Sequence, residues 1–359
     1  MLSRRAFARL TLAAAVSPSA GLASPVAPTT DDPALAFVDR LPPYRPATQV
    51  EATIRLWGHG SPTHDFLGDL VKVWMAGFQR LQPGVRFGYQ LYGTASAVGA
   101  LYTDAGDIAL LGEEISPDAR RAFVRARGYG PTDISIATGS LDADFFDYAH
   151  MIFVHRDNPL RSLSLPQLAG IFGEAPLRGA GRLRRWGDLG LTGDWADRSI
   201  QPYAWKVDDD FGLFFRERVL SGSHRWNPRI REFAGAVRPD GSKYDRGQQI
   251  VDAVGADRFG VGISNVRFPN PQVKALPLAW TEGAPPCEAT PASLVSQAYP
   301  LVRIIPAIID RPPGLPVDPG VREFLRYVLS RDGQQALLTA SRYLPLGETP
   351  RSRQLEKLA

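Results

Sequence analysis

Hydrophobic and polar positions alternate over residues 52–57 (ATIRLW), the period-two pattern of a short strand. Gly58-His59-Gly60 follows as a tight turn. Ser61 and Pro62 then supply an N-cap and a first-turn proline. From there Phe66, Leu70, Trp74, Phe78 and Leu81 recur at helical spacing, with Leu67 and Val71 beside them. The spacing predicts one amphipathic helix, ended by Pro83-Gly84. Residues 85–91 read as a second strand. The small-residue turn Gly93-Thr94-Ala95-Ser96-Ala97 leads into a short helix with Val98 and Leu101. Residues 107–111 (DIALL) form a third, mostly buried strand. Strands alternating with helices in this way predict a parallel sheet with covering helices.

The pattern continues in the second half. Residues 149–155 (AHMIFVH) read as a strand, and Ser164-Leu165-Pro166 opens a helix through Phe172. Residues 200–206 are a strand and 211–220 a helix bearing Phe214, Phe215, Val219 and Leu220. Residues 248–255 are helical, and 259–263, 273–278 and 301–309 are strands, with Pro306 marking a bulge or an edge. Residues 321–340 carry Phe324, Leu325, Val328, Leu329 and Leu337, the signature of one long amphipathic helix. Residues 24–50 are rich in Pro, Ala and Thr and read as an extended arm, because proline removes donors and breaks periodicity. Residues 347–359 read as a C-terminal tail. The run Arg178, Arg182, Arg184 and Arg185 reads as a solvated loop.

Composition sharpens this picture. The 359 residues are 44% hydrophobic and 22% charged, ordinary for a globular chain, and the length favours two domains. One cysteine, Cys287, excludes an intrachain disulfide and an all-cysteine zinc site. The net charge of +4 is misleading: residues 1–23 hold Arg4, Arg5 and Arg9 and no acid, and the remainder carries +1. Nothing global therefore points to nucleic acid as a partner. Those 23 residues combine a basic start, a short apolar stretch and the small residues Gly21-Leu22-Ala23, the plan of a cleaved export signal. Ser3-Arg4-Arg5-Ala6-Phe7 resembles the twin-arginine export motif, with a general secretory signal as the alternative. No cysteine follows the cleavage region, so no lipid anchor is expected. No later stretch approaches ~18 uninterrupted apolar residues. The expectation is a soluble periplasmic protein.

Several segments taken together resemble one family. They are the first strand with its Gly58 turn and Ser61-Pro62 helix opening, then Gly93-Thr94-Ala95-Ser96, then Asp107-Ile108-Ala109. Further on come Ile152-Phe153-Val154-His155-Arg156-Asp157-Asn158-Pro159-Leu160, Trp186-Gly187-Asp188-Leu189, Tyr299-Pro300-Leu301-Val302-Arg303 and Tyr343-Leu344-Pro345-Leu346. In this order they are similar to the phosphate-binding-protein-like group of periplasmic solute-binding proteins, of the two-lobed type II kind. The resemblance implies an α/β fold of two lobes, each a mixed, mostly parallel sheet flanked by helices, joined by two crossover strands. Lobe one would hold residues 51–148 and 266–346, and lobe two residues 149–265. It also implies a small-molecule ligand captured between the lobes by hinge closure, delivery to ABC transporter membrane subunits, and a monomer.

Such a cleft binds an oxyanion with donors more than with charge, and helix N-termini supply unpaired N–H groups. The turns 58–63, 93–97 and 112–116 each offer this. The candidates are Gly58, His59, Gly60, Ser61, Thr63, Thr94, Ala95 and Ser96. The resemblance also implies that Glu113 stands where family phosphate binders carry an aspartate. It places Asp209, Asp210 and Phe211 on their Ser-Gly-Thr turn, with Lys206 near their arginine. Acids at that turn oppose an anion. Three ligand classes stay open: an oxyanion with the acids facing solvent, a cationic, zwitterionic or metal ligand with the acids facing the cleft, and an organic molecule stacked on Trp57, Tyr92 or Trp205. From other classes, a hydrolase using His59 with Ser61 or Ser96, and a ligand-free sensor or scaffold, compete. Against the hydrolase, the chain has no Gly-x-Ser-x-Gly elbow and no cluster of metal ligands. No cofactor is expected.

Overall fold

Two five-stranded mixed sheets organise the chain in a computed structural model that describes residues 32–59, 66–141, 149–174, 179, 181–265 and 268–359. The proposed leader, residues 1–23, lies outside the described residues. The first part of the chain runs β1 (Ala52–Gly58), α1 (Phe66–Leu81), β2 (Val85–Gln90), α2 (Thr94–Tyr102), β3 (Ile108–Leu110), α3 (Pro117–Arg127) and β4 (Thr132–Thr138). Next come β5 (His150–His155), β6 (Leu163–Ser164), α4 (Leu165–Phe172), β7 (Gln201–Trp205), α5 (Asp210–Arg218) and β8 (Arg231–Phe233). The middle part ends with β9 (Ala236–Val237), β10 (Lys243–Tyr244), α6 (Arg246–Ala256), β11 (Gly260–Asn265), β12 (Val273–Leu276) and β13 (Leu278–Ala279). The chain closes with α7 (Pro291–Val295), β14 (Ile304–Ile309), α8 (Pro319–Val328), α9 (Arg331–Ala340) and α10 (Glu348–Glu356).

The first sheet has the order β2-β1-β3-β14-β4. β1 is parallel to β2 and β3, and β14 returns antiparallel between β3 and β4. The register of β14 shifts between Ile305 and Pro306. Pro306 thus marks a bulge on an interior strand, where a missing N–H is tolerated. The α1 face read from the sequence is the buried one: Leu67, Leu70, Val71, Trp74 and Phe78 are all fully buried. The second sheet has the order β12-β5-β11-β7-β8. β12 pairs antiparallel with β5 across Val273↔His155 to Leu276↔Ile152, and β13 pairs with β6. Residues 273–276, expected in lobe one, therefore belong to the second sheet, while 278–279 pair with β6 in a separate two-stranded sheet. The strand itself was readable; its sheet was set by the apolar edge that β5 leaves for it. Two chain crossings lie side by side between the sheets, with Gly139 N–H donating to Arg303 O at 2.9 Å and His150 N–H to Leu301 O at 3.2 Å.

Three other expectations change. Part of the expected arm is a 3-10 helix, Pro33–Arg40, capped by Asp32. Leu35, Val38, Leu41, Tyr44 and Val50 are buried against the first lobe. The Tyr44 hydroxyl donates to Oε2 of the fully buried Glu323 at 2.7 Å, and Ala47 N–H donates to the same oxygen at 3.1 Å. Arg326 holds the other oxygen at 2.6 Å. The apolar residues of this segment have no helical period long enough to announce a docking face, so proline content dominated the reading. The long C-terminal helix is two helices, because the Ser330 side chain takes a Gly333 N–H as an N-cap. Any Cβ on Gly333 would sit 2.4 Å from the Tyr327 and Val328 carbonyls, so α9 starts hard against the end of α8. The tail folds as α10, which buries Arg351 and Gln354.

Where the second sheet meets the crossings, His150 of β5 pairs in register with Asn265 of β11. Both are buried, and among the described residues neither ring nitrogen of His150 nor the Asn265 amide group has a hydrogen-bond partner. Trp205, Phe211 and Phe214 enclose the imidazole at centroid distances of 4.8, 5.4 and 4.8 Å. Burial, and then the charge of Arg303, holds the His150 pKa well below its ordinary value.

Two outcomes follow. Tyr44→Phe removes a hydrogen bond to a buried carboxylate and should cost about 1.5–3 kcal/mol in chemical denaturation; wild-type stability would detach residues 32–50 from the account of this fold. His150 stays neutral in the folded state while the unfolded chain binds a proton near pH 6.5. The unfolded state thus binds more protons below that pH, and stability falls on acidification by up to about 1.4 kcal/mol per pH unit. Unfolding free energies of wild type and His150→Leu between pH 7 and 5 should differ in slope by that amount, and equal slopes would mean that the folded imidazole titrates normally.

Candidate functional site

The ends of β1 and β3 approach too closely for a side chain. A Cβ on Gly58 would sit 2.2 Å from the Leu110 carbonyl oxygen. His59 N–H donates to that same oxygen at 2.9 Å, and Gly93 N–H donates to Gly58 O at 2.9 Å. The His59 ring then reaches two neighbouring loops. Its Nδ1 lies 3.2 Å from Thr94 Oγ1, and a Cβ on Gly112 would stand 2.9 Å from the ring. Gly58-His59, Gly93-Thr94 and Gly112-Glu113 are therefore gathered at one point, at the carboxyl ends of β1, β2 and β3. This is the end of an open α/β sheet at which ligands bind. Gly60, Ser61 and Thr63 lie outside the described residues.

The gathered loops differ in what they leave free. α2 begins after Gly93 with no side-chain cap, and Ala95 and Ser96 in its first turn are exposed. First-turn amides have no intrahelical acceptor, so this turn presents N–H groups and the positive end of a helix dipole. The Ser96 hydroxyl donates to Gly93 O at 3.2 Å and closes the turn. α3, by contrast, is capped by its own Ser116, which accepts from Ala119 N–H at 3.2 Å. The third loop thus contributes less free N–H than the sequence suggested.

In the second lobe, Lys206 begins the turn that delivers α5, with Asp209 N–H donating to Lys206 O at 3.1 Å. Asp209 is the N-cap residue but makes no side-chain cap. Its carboxylate instead pairs with Arg246, the first residue of α6, whose guanidinium lies 4.9 Å from the Phe211 ring centroid. Asp208 and Asp210 are exposed, as is Lys206. Arg246 stands 37 residues from Asp209, a separation at which nothing local could reveal the pair.

A cavity of about 400 Å³ opens between the lobes. Glu113, Ile115 and Pro117 line it from the first lobe; Asp210, Leu213 and Phe214 line it from the second. Two of the sequence candidates, Glu113 and Asp210, thus face one space, while Lys206 stands outside its lining. Trp280 and the guanidinium-bearing Arg218 and Arg303 also line it. Arg303 is only 2% exposed; its Nε donates to Glu114 Oε2 at 2.8 Å, and its Nη2 lies 3.6 Å from Glu113 Oε2. Glu114 Oε1 accepts Ile304 N–H at 2.7 Å, so this acid is spent on structure. The sequence reading overlooked Arg303, although it ends the Tyr299–Arg303 segment that carried part of the resemblance. The aromatic residues expected to stack on a ligand lie elsewhere: Trp205 is buried against His150, Trp57 donates to Ala105 O at 3.1 Å, and Tyr92 is exposed. Phe214 and Trp280 are the aromatic side chains that line the cavity. Among the described residues, no group of three His, Cys, Asp or Glu side chains is placed to hold a metal ion.

Comparison with known proteins agrees with this geometry. The model of the PBP superfamily domain matches residues 60–332. Over 348 residues the chain is 31% identical to the phosphate-binding protein PstS of Pseudomonas aeruginosa, with 96% of each chain covered, in both strains compared. The crystal structure of PstS from Borrelia burgdorferi has a TM-score of 0.53 against this chain at 12% identity, covering 83% of this chain and 100% of its own, a likeness of fold alone. With two sheets joined by paired crossings, and loops gathered at the strand ends facing the space between them, this chain belongs to the periplasmic-binding-protein (PBP) superfamily.

Proposed function

We propose that this chain is a periplasmic solute-binding protein that captures a phosphate-like oxyanion between its lobes and hands it to the membrane subunits of an ABC importer. The observation that carries the reading is the meeting of the three first-lobe loops around His59, beside the uncapped first turn of α2. N–H groups held there need no reorganisation to receive an oxyanion, and each hydrogen bond to a charged acceptor contributes about 1.5–3 kcal/mol. The names of the Pseudomonas relatives support phosphate as the anion. Gly58, His59, Thr94, Ala95 and Ser96 are the first-lobe contacts, with Gly60, Ser61 and Thr63 continuing the first loop. The first turn of α5 at Asp210 closes on the anion from the other side.

The acid run ceases to be prohibitive once Arg246 is counted. An anion ~4 Å from an unpaired carboxylate is opposed by about 4 kcal/mol at an effective dielectric of 20. Pairing with Arg246 turns Asp209 into a local dipole and removes its share of that term, while Asp208 and Asp210 stay exposed to water, which screens them. The protein acts by binding and performs no chemistry: the Ser96 hydroxyl is turned to Gly93 O, away from the role of a nucleophile. It works as a monomer in the periplasm, exported by its leader. No helix of the described residues is long and apolar enough to cross a membrane.

Inorganic phosphate at 100 times its dissociation constant should stabilise the folded protein by about 2.7 kcal/mol, read as a rise in melting temperature. A melt unmoved by phosphate, sulfate or other small oxyanions would end this reading. Arg246→Ala should weaken phosphate binding about tenfold in titration calorimetry, a change of about 1.4 kcal/mol, by freeing the Asp209 charge. Arg246→Ala combined with Asp209→Asn should recover most of the loss; if the double variant stays as weak as the single one, Arg246 acts through structure rather than charge.

A further inference from the structure

The second lobe's share in capture depends on how α5 is seated, and α5 is seated on His150. This residue starts β5 directly after the first crossing. Its N–H donates to Leu301 O at 3.2 Å, and the Tyr299 hydroxyl donates to its carbonyl at 2.9 Å. The backbone of His150 is thus fixed in the paired crossings, while its ring is walled by Phe211 and Phe214 of α5 and Trp205 of β7. A buried histidine ordinarily spends a ring nitrogen on a hydrogen bond. Among the described residues neither nitrogen has a partner, and the Asn265 amide on the neighbouring strand has none either.

Such a pocket excludes the charged ring. An imidazolium brings a charge and two N–H donors that nothing here solvates. Aromatic rings attract cations, but Arg303 already lies 4.6 Å from the Phe214 ring, and its charge opposes a second one. The other groups around the ring do not offset that charge. Trp205 and Asn265 are neutral, and Tyr299 is a neutral donor whose burial pushes its hydroxyl pKa up. Arg246 of α6, 4.9 Å from the Phe211 ring, is a further cation paired with Asp209. No carboxylate is among the groups that act on the imidazole. Protonation therefore requires the wall to part and admit water. Phe214 both contacts the imidazole and lines the interlobe cavity, so the wall parts there by displacing α5.

Resting on the reading above, we infer that His150 is a positioning residue that makes solute capture pH-dependent: its neutral ring keeps α5 seated for closure on the anion, and its protonation unseats α5 and releases the solute. Linkage fixes the sign. The liganded form, with the first turn of α5 held on the anion, keeps the ring neutral, whereas the unliganded form takes up the proton in acid. Affinity therefore falls as pH falls, with a limit of about tenfold per pH unit for one proton.

The test is titration calorimetry of inorganic phosphate at pH 7 and pH 5 with wild type, His150→Leu and Phe214→Leu, each affinity taken relative to the same protein at pH 7. The proton equilibria of phosphate and the other titrating groups of the cleft are common to all three proteins, so the difference between them isolates His150. Near-ultraviolet circular dichroism at both pH values restricts the comparison to folded protein. The wild type should lose at least about fivefold more affinity than His150→Leu. Phe214→Leu, which thins the wall and keeps the imidazole, should lose more than the wild type. Equal losses in wild type and His150→Leu overturn the inference and leave the phosphate reading standing. A Phe214→Leu loss no larger than that of the wild type overturns it as well, and this arm decides the matter should His150→Leu fail to fold. If the wild type does not bind phosphate at pH 7, the phosphate reading falls and this inference with it.

Discussion

One buried guanidinium ties the working parts of this protein together. Arg303 stands at the point where the chain re-enters the first sheet, directly before β14. From there it holds Glu114 of the loop after β3 and lies over Phe214 of α5 in the other lobe. Its own backbone carbonyl receives Gly139 N–H of the neighbouring crossing. A charge so far from water is tolerated only with a partner at hydrogen-bonding distance, and Glu114 is that partner. The pair therefore fixes the third loop relative to the crossings, and with it the floor of the interlobe cavity.

The rest of the first lobe forms a rigid frame for its three loops. Residues 32–50 are clasped by Glu323 and Asp332, which accept from the Tyr44 hydroxyl and the Tyr44 N–H. Gln82 adds donors to the Tyr44 hydroxyl and the Thr48 carbonyl. Phe78, Phe324 and Tyr327 pack as an aromatic cluster beneath them. None of these groups touches the cleft. They set the positions of β1 and α1, and hence of the turn between them. The second lobe carries the opposite arrangement: its strand ends hold the unpaired polar groups of His150 and Asn265 under an aromatic lid.

Electrostatics at the cleft are decided by pairs rather than by the residues singly. Three consecutive acids open α5, which in isolation oppose an anion. Arg246 takes Asp209, Glu114 is consumed by Arg303 and Ile304, and Glu217 by Arg216. Glu113 and Asp210 line the cavity, Glu113 with Arg303 Nη2 3.6 Å away.

Much of this was legible in the chain itself. The helix over Phe66–Leu81 and eight of the ten strands of the two sheets follow from the pattern of apolar positions, while β4 and β8 were not read from it. The Gly58, Gly93 and Gly112 turns were readable too as small-residue turns; a side chain at Gly58 would meet the Leu110 carbonyl and one at Gly112 the His59 ring. Tertiary structure decided what joins what: that 273–276 complete the second sheet, that residues 33–40 fold onto the first lobe, that Arg246 neutralises Asp209, and that Arg303 sits beneath the cleft. These contacts span tens to hundreds of residues, and a pair of that kind has no period and no neighbouring signal. It exists only once the backbone has brought two distant side chains within a few ångströms.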